Sequence, residues 1–265
     1  MKLISLNVAL FEPNNPELIP FLKRESPDII CFQEVTRSLG DKVDKRFISK
    51  NSIDGATNNL EFNFFGPTSV FGEINMKDFH GQENFHFDPK GLLELGNYTK
   101  SKYKILKAQS IFLEGDFTYD PGQVRWPDEQ YRAILMVDLS VNNHILRVIN
   151  YHGIWTRNKK GNDKTYKACK KILDYAYSFK GNVIICGDFN LFPETPSIKV
   201  FEKDFTNLID RFKVKTTRPS SNELSGNGRN IVDYVFVSPN VKVSNFKVLD
   251  EDISDHLPLV LDFDL

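Results

Sequence analysis

Short apolar runs, each closed by a polar or glycine–proline stretch, recur along the whole chain. Their length and their wealth of Val, Ile and Phe mark most of them as strands rather than helices. "KLISLNVALF" opens the series, "DIICFQEV" (28–35) follows, and "EFNFFGP" reads as a strand running into a turn. "GLLELGN", "YKILKAQSIFL", "YRAILMVDLSV" and "HILRVINYHG" make a strand-dense middle, with Asn142-Asn143 where a hairpin turn belongs. "NVIICGDFN", "IVDYVFVS", "VKVSNFKVL" and "LPLVLDFDL" complete the set. Residues 36–60 show no decisive period, and 72–90 read as loop.

Helical spacing is rarer. "DKTYKACKKILDYAYSFKG" sets Tyr166, Cys169, Ile172, Leu173, Ala176 and Tyr177 on one helical face and stops at Gly181. "NNPELIPFLKRES" offers Asn15 as a cap and Pro16 at the first helical position, and "TPSIKVFEKDF" starts a short helix near Thr195 or Pro196. Many strands and few helices, without regular strand–helix alternation, predict two packed sheets with helices outside them. A parallel dinucleotide-binding sheet does not fit, since no GxGxxG follows a strand. No internal repeat or long linker divides the chain, so residues 1–265 read as one domain.

Composition narrows the classes. The chain has 265 residues, 40% apolar and 22 of them Phe, enough for a large aromatic-rich core. Lys and Arg number 34 against 35 Asp and Glu. That balance excludes a protein that coats nucleic acid through bulk charge, but not an enzyme that neutralises phosphate locally. Cys31, Cys169 and Cys186 fit neither a zinc nor a redox spacing and read as buried free thiols, as in a reducing cytosol. Asn7 interrupts the apolar start and no small-residue cleavage site follows, so it reads as a strand rather than a signal peptide. No run approaches membrane-spanning length. The expectation is a cytoplasmic monomer without stable membrane insertion.

The chemistry lies where the apolar runs end. Asn7 follows "LISL", Glu34 follows "IICFQ", His152 follows "RVINY", and Asp188 and Asn190 follow "VIICG". Asp233 sits in "NIVDYVFV", and Asp255-His256 precede "LPLVLDF". Any one of these is explained by the liking of Asp and Asn for turns and caps. Six strand ends carrying such groups describe a polar cluster on a rigid frame. Carboxylate and amide oxygens suit Mg²⁺ or Mn²⁺. Glu34 is the strongest metal-ligand candidate, with Asp255 and Asn7 completing or supporting the shell.

Of the five histidines, His80 and His86 fall in the polar loop and His144 in a turn, where solvation explains them. His152 and His256 border acids and amides. A carboxylate-held imidazole has a fixed tautomer and a raised pKa, which suits it to proton donation, and Asp233 is a plausible orienter of His256. Asp188 and Asn190, two apart in extended chain, share a face, with Phe189 turned to the core. Gly187 removes a side chain where substrate would approach. A carboxylate beside an amide fits hydrolysis by an activated water. No GxSxG elbow and no Cys set beside a His offers a covalent route. Residues 157–171 carry seven Lys and Arg against one Asp, as a solvated helix face or a phosphate-attracting rim. Arg211, Lys213, Lys215 and Arg218 form a second basic stretch.

"ISLNV", "PDIICFQEV", "INYHG", "VIICGDFNLFP", "IVDYVFVS" and "ISDHLPLV" stand in the order of the motifs of the endonuclease/exonuclease/phosphatase superfamily, which the chain resembles from residue 4 to its C-terminus. The resemblance implies an α/β, four-layer α/β/β/α sandwich of two mostly antiparallel sheets with outer helices, and Mg²⁺-dependent phosphoester hydrolysis. By motif, Glu34 and Asn7 would serve the metal, Asp188 the attacking water and Asn190 the phosphate. Asp233 would orient His256, Asp255 would sit at the metal or a second-metal site, and His152 would act as general acid or phosphate contact. "GDFNLFP" lacks the Tyr-Arg that follows this motif in inositol polyphosphate phosphatases. The Tyr that abasic endonucleases carry at the His152 position is absent as well. The first reading is a phosphodiesterase, a nuclease acting on DNA or RNA. The alternatives are a phosphatase or phospholipase-C-type hydrolase of a small phosphorylated metabolite or lipid headgroup, and, outside enzymes, a non-catalytic binding module.

Overall fold

The computed structural model of the chain describes residues 1–9, 15–79, 82–119, 132–220 and 230–265. The strands are β1 (Lys2–Asn7), β2 (Ile29–Leu39), β3 (Phe62–Phe71), β4 (Ile74–Phe79), β5 (Gln82–Phe87), β6 (Leu92–Ser101), β7 (Lys104–Glu114), β8 (Thr118–Tyr119), β9 (Arg132–Val141), β10 (His144–His152), β11 (Asn182–Asp188), β12 (Thr206–Asn207), β13 (Asp233–Val237), β14 (Lys242–Val248) and β15 (Leu259–Asp264). The helices are α1 (Leu18–Glu25), α2 (Ser49–Ala56), α3 (Asp163–Tyr177), α4 (Pro196–Lys199) and α5 (Leu208–Arg211).

One sheet runs β14-β15-β1-β2-β6-β3-β8 and the other β12-β13-β11-β10-β9-β7. Most neighbours are antiparallel, and each sheet holds one long parallel pair, β1–β2 and β10–β11. Period-two alternation explains the layering. Leu3, Ile29 and Cys31 enter the cluster shared with the second sheet. Ile4, Leu6, Ile30 and Phe32 face the other way and pack with Leu18, Phe21 and Leu22 of α1 and Ile53 of α2. On the far side α3 presents Ala168, Cys169, Ile172, Leu173 and Ala176 to the core. The result is the expected four-layer sandwich. Among the described residues no helix is long and apolar enough to cross a membrane.

Several local expectations change. α1 begins at Leu18, not Pro16. The Asn15 side chain instead accepts from Glu17 N–H at 2.9 Å in the turn that leads in. Pro20 is tolerated because it lies in the first turn, where an N–H has no partner within the helix. Residues 72–90 are not loop but contain the β4–β5 hairpin, with exposed His86 on β5 and His80 outside the described residues. β3 continues through Gly66-Pro67, where the pairing with β6 shifts register and so accommodates the proline. Tyr166 and Tyr177 of α3 are exposed, and Thr165 and Ala168 take their places on the buried face. Asn162 caps this helix in a reciprocal pairing with Thr165.

Candidate active site

The parallel pairs decide where the polar residues meet. Parallel strands end on the same side, so β1 and β2 deliver Asn7 and Glu34 together, and β10 and β11 deliver His152 and Asp188 as register partners. β13 runs antiparallel to β11 and starts where β11 ends, pairing Asp233 with Asp188. The sheets meet at this edge. Asn7 Nδ2 donates to Glu34 Oε1 at 3.0 Å and, across the sandwich, to Asp188 Oδ2 at 3.2 Å. Behind them Gln33 Nε2 donates to Asn150 Oδ1 at 2.7 Å, and Asn150 Nδ2 to Phe32 O at 3.1 Å. This buried amide tie between the sheets left no sign in the periodicity.

Asp188 is the hub. Its Oδ1 accepts Asn190 N–H at 2.8 Å, and its Oδ2 accepts Asn190 Nδ2 at 3.2 Å besides Asn7. His256 Nε2 and His152 Nε2 stand 3.6 and 3.7 Å from the same Oδ2. Asn190 reaches the shared face by a tight turn with φ +56°, not by the extended chain expected from its spacing. Phe189 lies between them, fully buried, with edge-on ring contacts to Tyr151, Phe201 and Tyr234. Burial of such a ring is worth about 3–5 kcal/mol on truncation, so the turn is firmly anchored. Burial raises the Asp188 pKa, but His256, His152, Lys159 and Arg218 prevail and bring it to about 2. Asp188 is therefore ionised throughout the physiological range.

Gly187 has a different role from the expected one. Its φ is +138°, and a Cβ there would lie 1.9 Å from Tyr151 O of the paired strand. The glycine permits close strand packing rather than substrate approach. A Cβ on Gly153, just past β10, would likewise lie 2.1 Å from Phe189 O.

Glu34 sits at an irregularity in β2. The pairing with β6 jumps between Phe32 and Val35, and Glu34 takes φ +56°. Such a bulge re-aims a side chain, and here it turns a partly open carboxylate toward Asn7 and His152, whose Nε2 is 3.6 Å away. Asp255 lies nearby. Ser254 Oγ donates to Asn7 O at 2.6 Å and to Asp255 Oδ1 at 3.4 Å. Asp255 is also paired with Arg218 Nη1 at 2.6 Å, and its side chain is 38% exposed. Carboxylate oxygens suit a hard divalent cation, so Glu34 and Asp255 fit one, while Asn7, whose Oδ1 accepts Ala9 N–H at 3.0 Å, turns its Nδ2 to Glu34 and supports it.

The two histidines diverge. His256 Nδ1 lies 2.9 and 3.0 Å from the two Asp233 carboxylate oxygens, which fixes the ring with Nε2 toward Asp188. Burial and Arg218 lower its pKa, but Asp233, Asp188 and Asp255 outweigh them and the net direction is up. His152 is driven down to about 3 by burial and by Arg132, against the pull of Asp188. The expected raised pKa therefore holds for His256 and not for His152, which is a neutral imidazole. Asp188, Asp233 and His256 also lie close enough for a metal cluster, among the described residues. The short His256–Asp233 contact occupies that space as a hydrogen-bonded pair instead.

Three cations complete the site without having been singled out for it. Arg132 Nε donates to Gly153 O at 2.8 Å. Arg218, from the second basic stretch, holds Asp255. Lys159, from the 157–171 segment, buries its side chain and donates from Nζ to Asn190 Oδ1. The only hint of Lys159 was a basic loop just after His152. Lys164 of the same segment pairs with Glu114 instead.

Lys159 carries a stability signature. Burial lowers its pKa from the ordinary 10.5 to about 8, with Asp188 opposing and Arg218 and Arg132 adding. Between those values the unfolded chain binds the proton and the fold does not, so stability rises with pH across that window. The gain should be on the order of 3 kcal/mol in metal-free protein, and Lys159→Met should lack it. Urea unfolding of both proteins at about pH 7.5 and about pH 10 measures the difference. Equal pH slopes would assign the effect elsewhere.

The family model described as Endonuclease/Exonuclease/phosphatase family matches residues 4–256. None of the curated proteins matches the sequence. Among solved structures, an endonuclease/exonuclease/phosphatase family protein from Leptotrichia buccalis is similar at 17% identity and TM-score 0.71, covering 100% of both chains. An endonuclease/exonuclease/phosphatase from Bacteroides vulgatus is similar at 16% identity and TM-score 0.70, covering 100% of this chain and 98% of that one. A mannosyl-6-phosphatase from Bacteroides thetaiotaomicron is similar at 14% and 0.66, covering 100% of both. At these identities the likeness is one of fold.

Proposed function

The chain belongs to the endonuclease/exonuclease/phosphatase family, whose members hydrolyse phosphoesters, and from that premise we propose that it is a Mg²⁺-dependent phosphodiesterase with nucleic acid as its first substrate class. The observation that carries the reading is the position of Asp188. It stands between the Asp233–His256 pair on one side and the Asn7–Glu34 shelf on the other. A water held there meets an ionised acceptor and, within the same cluster, two groups suited to phosphoryl oxygens.

Asp188 Oδ2 accepts a hydrogen bond from the attacking water and aims it at phosphorus. With a pKa of about 2 it is a weak base, so its main work is orientation, with proton acceptance developing as the water's own acidity rises in the transition state. Asn190 Nδ2 exchanges its 3.2 Å bond to Asp188 Oδ2 for one to a non-bridging oxygen, which leaves that carboxylate oxygen to the water. His256, oriented by Asp233, offers Nε2–H to the charge that grows on the phosphoryl group. His152 contributes a neutral hydrogen bond. Glu34 would hold the cation, with Asp255 completing the shell and Asn7 supporting it through its hydrogen bond to Glu34. A bound Mg²⁺ supplies Lewis-acid polarisation of a phosphoryl oxygen.

A second reading, a phosphomonoesterase, is favoured by the concentration of Arg132, Lys159 and Arg218, since a monoester is a dianion and a diester a monoanion. One panel tests both readings: bis-p-nitrophenyl phosphate, p-nitrophenyl phosphate, abasic, single-stranded and double-stranded DNA, RNA and phospholipids. Diester cleavage in Mg²⁺ should fall by at least about a hundredfold in EDTA. Turnover indifferent to EDTA, or no turnover of any phosphoester, defeats the proposal. Monoester turnover alone moves the assignment to the second reading.

A further inference from the structure

Lys159 is an unusual residue to bury. It is 4% exposed, lies in a loop at φ +54°, and is pinned there by Phe192 N–H donating to its carbonyl at 2.9 Å. A left-handed non-glycine conformation costs free energy, and a buried ammonium costs more unless it is paired. Methionine would fill the same space without a charge. Among the described residues, Asn190 Oδ1 is the only hydrogen-bond acceptor that Nζ meets, and the Trp155 ring faces the ammonium at 4.9 Å.

An ammonium can only donate, so it requires the oxygen of the Asn190 amide to face it. The amide nitrogen is thereby turned the other way, toward Gly153 O at 3.3 Å and Asp188 Oδ2 at 3.2 Å. Asn190 Nδ2 thus becomes an aimed donor. Lysine has three N–H groups, of which Asn190 takes one. Trp155 shields a second direction with a face that attracts cations.

We propose that Lys159 is a specificity-determining residue that both fixes the Asn190 amide and donates directly to a non-bridging oxygen of the substrate phosphoryl group, adding more to the binding of a dianionic terminal phosphate than to that of a monoanionic diester. The proposal rests on the phosphoester-hydrolase reading and adds a residue and a charge preference to it. The preference follows from Coulomb's law, because a fixed cation at one distance gains twice as much from a second negative charge, and more so away from bulk water. A diester remains a substrate, with less of its binding coming from this lysine.

Three variants test it: Lys159→Met, Asn190→Ala and the double variant, assayed in Mg²⁺ with p-nitrophenyl phosphate, bis-p-nitrophenyl phosphate and orthophosphate as inhibitor. Lys159→Met should weaken orthophosphate inhibition about tenfold to a hundredfold, the range of one charge-assisted hydrogen bond. Its loss in kcat/KM should be larger on the monoester than on the diester. Its melting temperature should not fall, which separates this result from unfolding; if it does fall, Lys159→Gln serves in its place. In the Asn190→Ala background, Lys159→Met should still weaken orthophosphate inhibition by at least about fivefold. No further loss there would show that Lys159 acts only through Asn190 and overturn the direct contact. Unchanged orthophosphate inhibition in the single variant, or equal losses on both esters, would overturn the charge preference. Orthophosphate stabilisation of the wild type against heat is read separately from turnover. If orthophosphate protects the wild type but not Lys159→Met while neither ester is cleaved, the hydrolase reading fails and the Lys159 anion site stands.

Discussion

Asp188→Asn lowers turnover of bis-p-nitrophenyl phosphate by about two to four orders of magnitude, the range expected when a positioned proton acceptor is removed. The substitution keeps size and shape, so the effect is chemical. Asp188 Oδ1 receives Asn190 N–H, and Oδ2 receives Asn7 Nδ2 and Asn190 Nδ2. An asparagine has one acceptor oxygen and cannot serve both sides. Whichever way the amide turns, its N–H₂ meets another donor. The protein should therefore lose about 1–3 kcal/mol of stability, enough to measure and, for a folded domain of this size, not enough to unfold it at room temperature. The network also loses one of the charges that, after Asp233, raise the His256 pKa, so the group that faces the phosphoryl oxygens is weakened together with the one that faces water. A circular dichroism spectrum like the wild type's, with turnover near wild type, would remove Asp188 from the mechanism and with it the proposed function.

Gly187→Ala is expected to be the most damaging single-methyl change in the fold. The added Cβ would lie 1.9 Å from Tyr151 O and 2.9 Å from Tyr151 C. Those atoms belong to the backbone of β10, so no rotamer change can relieve the contact. The two strands must separate, and the residue must also hold φ +138°, where an L side chain is strained. Together these should cost about 4 kcal/mol or more, in the exceptional tail of point substitutions. For a chain of this length that lowers the melting temperature by roughly 10 °C. Because Tyr151 precedes His152 and Gly187 precedes Asp188, the protein that remains folded should also lose activity beyond the loss in folded fraction. A melting point within about 2 °C of wild type would show that β10 and β11 can part at no cost, contrary to the packing described.

Most of the architecture was legible because it depends on local patterning. Strand identity, the α3 helix and the α4 start at Pro196 follow from residue type and period. Phe189 pointing inward follows from alternation, and it does. The failures have physical reasons. The β4–β5 hairpin was hidden because His, Asp, Asn and Gly are loop-formers in isolation, yet paired backbones override weak propensity. Gly187 reads from sequence as room for substrate because a glycine's neighbour across a sheet cannot be seen along the chain. The pKa values of His152 and His256 diverge although both stand beside acids. Arg132 lies close to one, and Asp233 is hydrogen-bonded to the other.

The polar residues that end the apolar runs, Asn7, Glu34, His152, Asp188, Asn190, Asp233, Asp255 and His256, were determined by the sequence as residue types suited to phosphoester chemistry. Their assembly was not. It follows from two parallel pairs ending on one side, from a bulge that turns Glu34, and from Asn7 crossing between sheets to Asp188. Packing then sorts the groups: neighbouring cations keep Asp188 ionised against its burial, burial holds His152 neutral, and Lys159 is brought onto Asn190. Periodicity is a property of neighbours along the chain, whereas charge stabilisation depends on distance in space and on exclusion of water, which only the packed sheets supply.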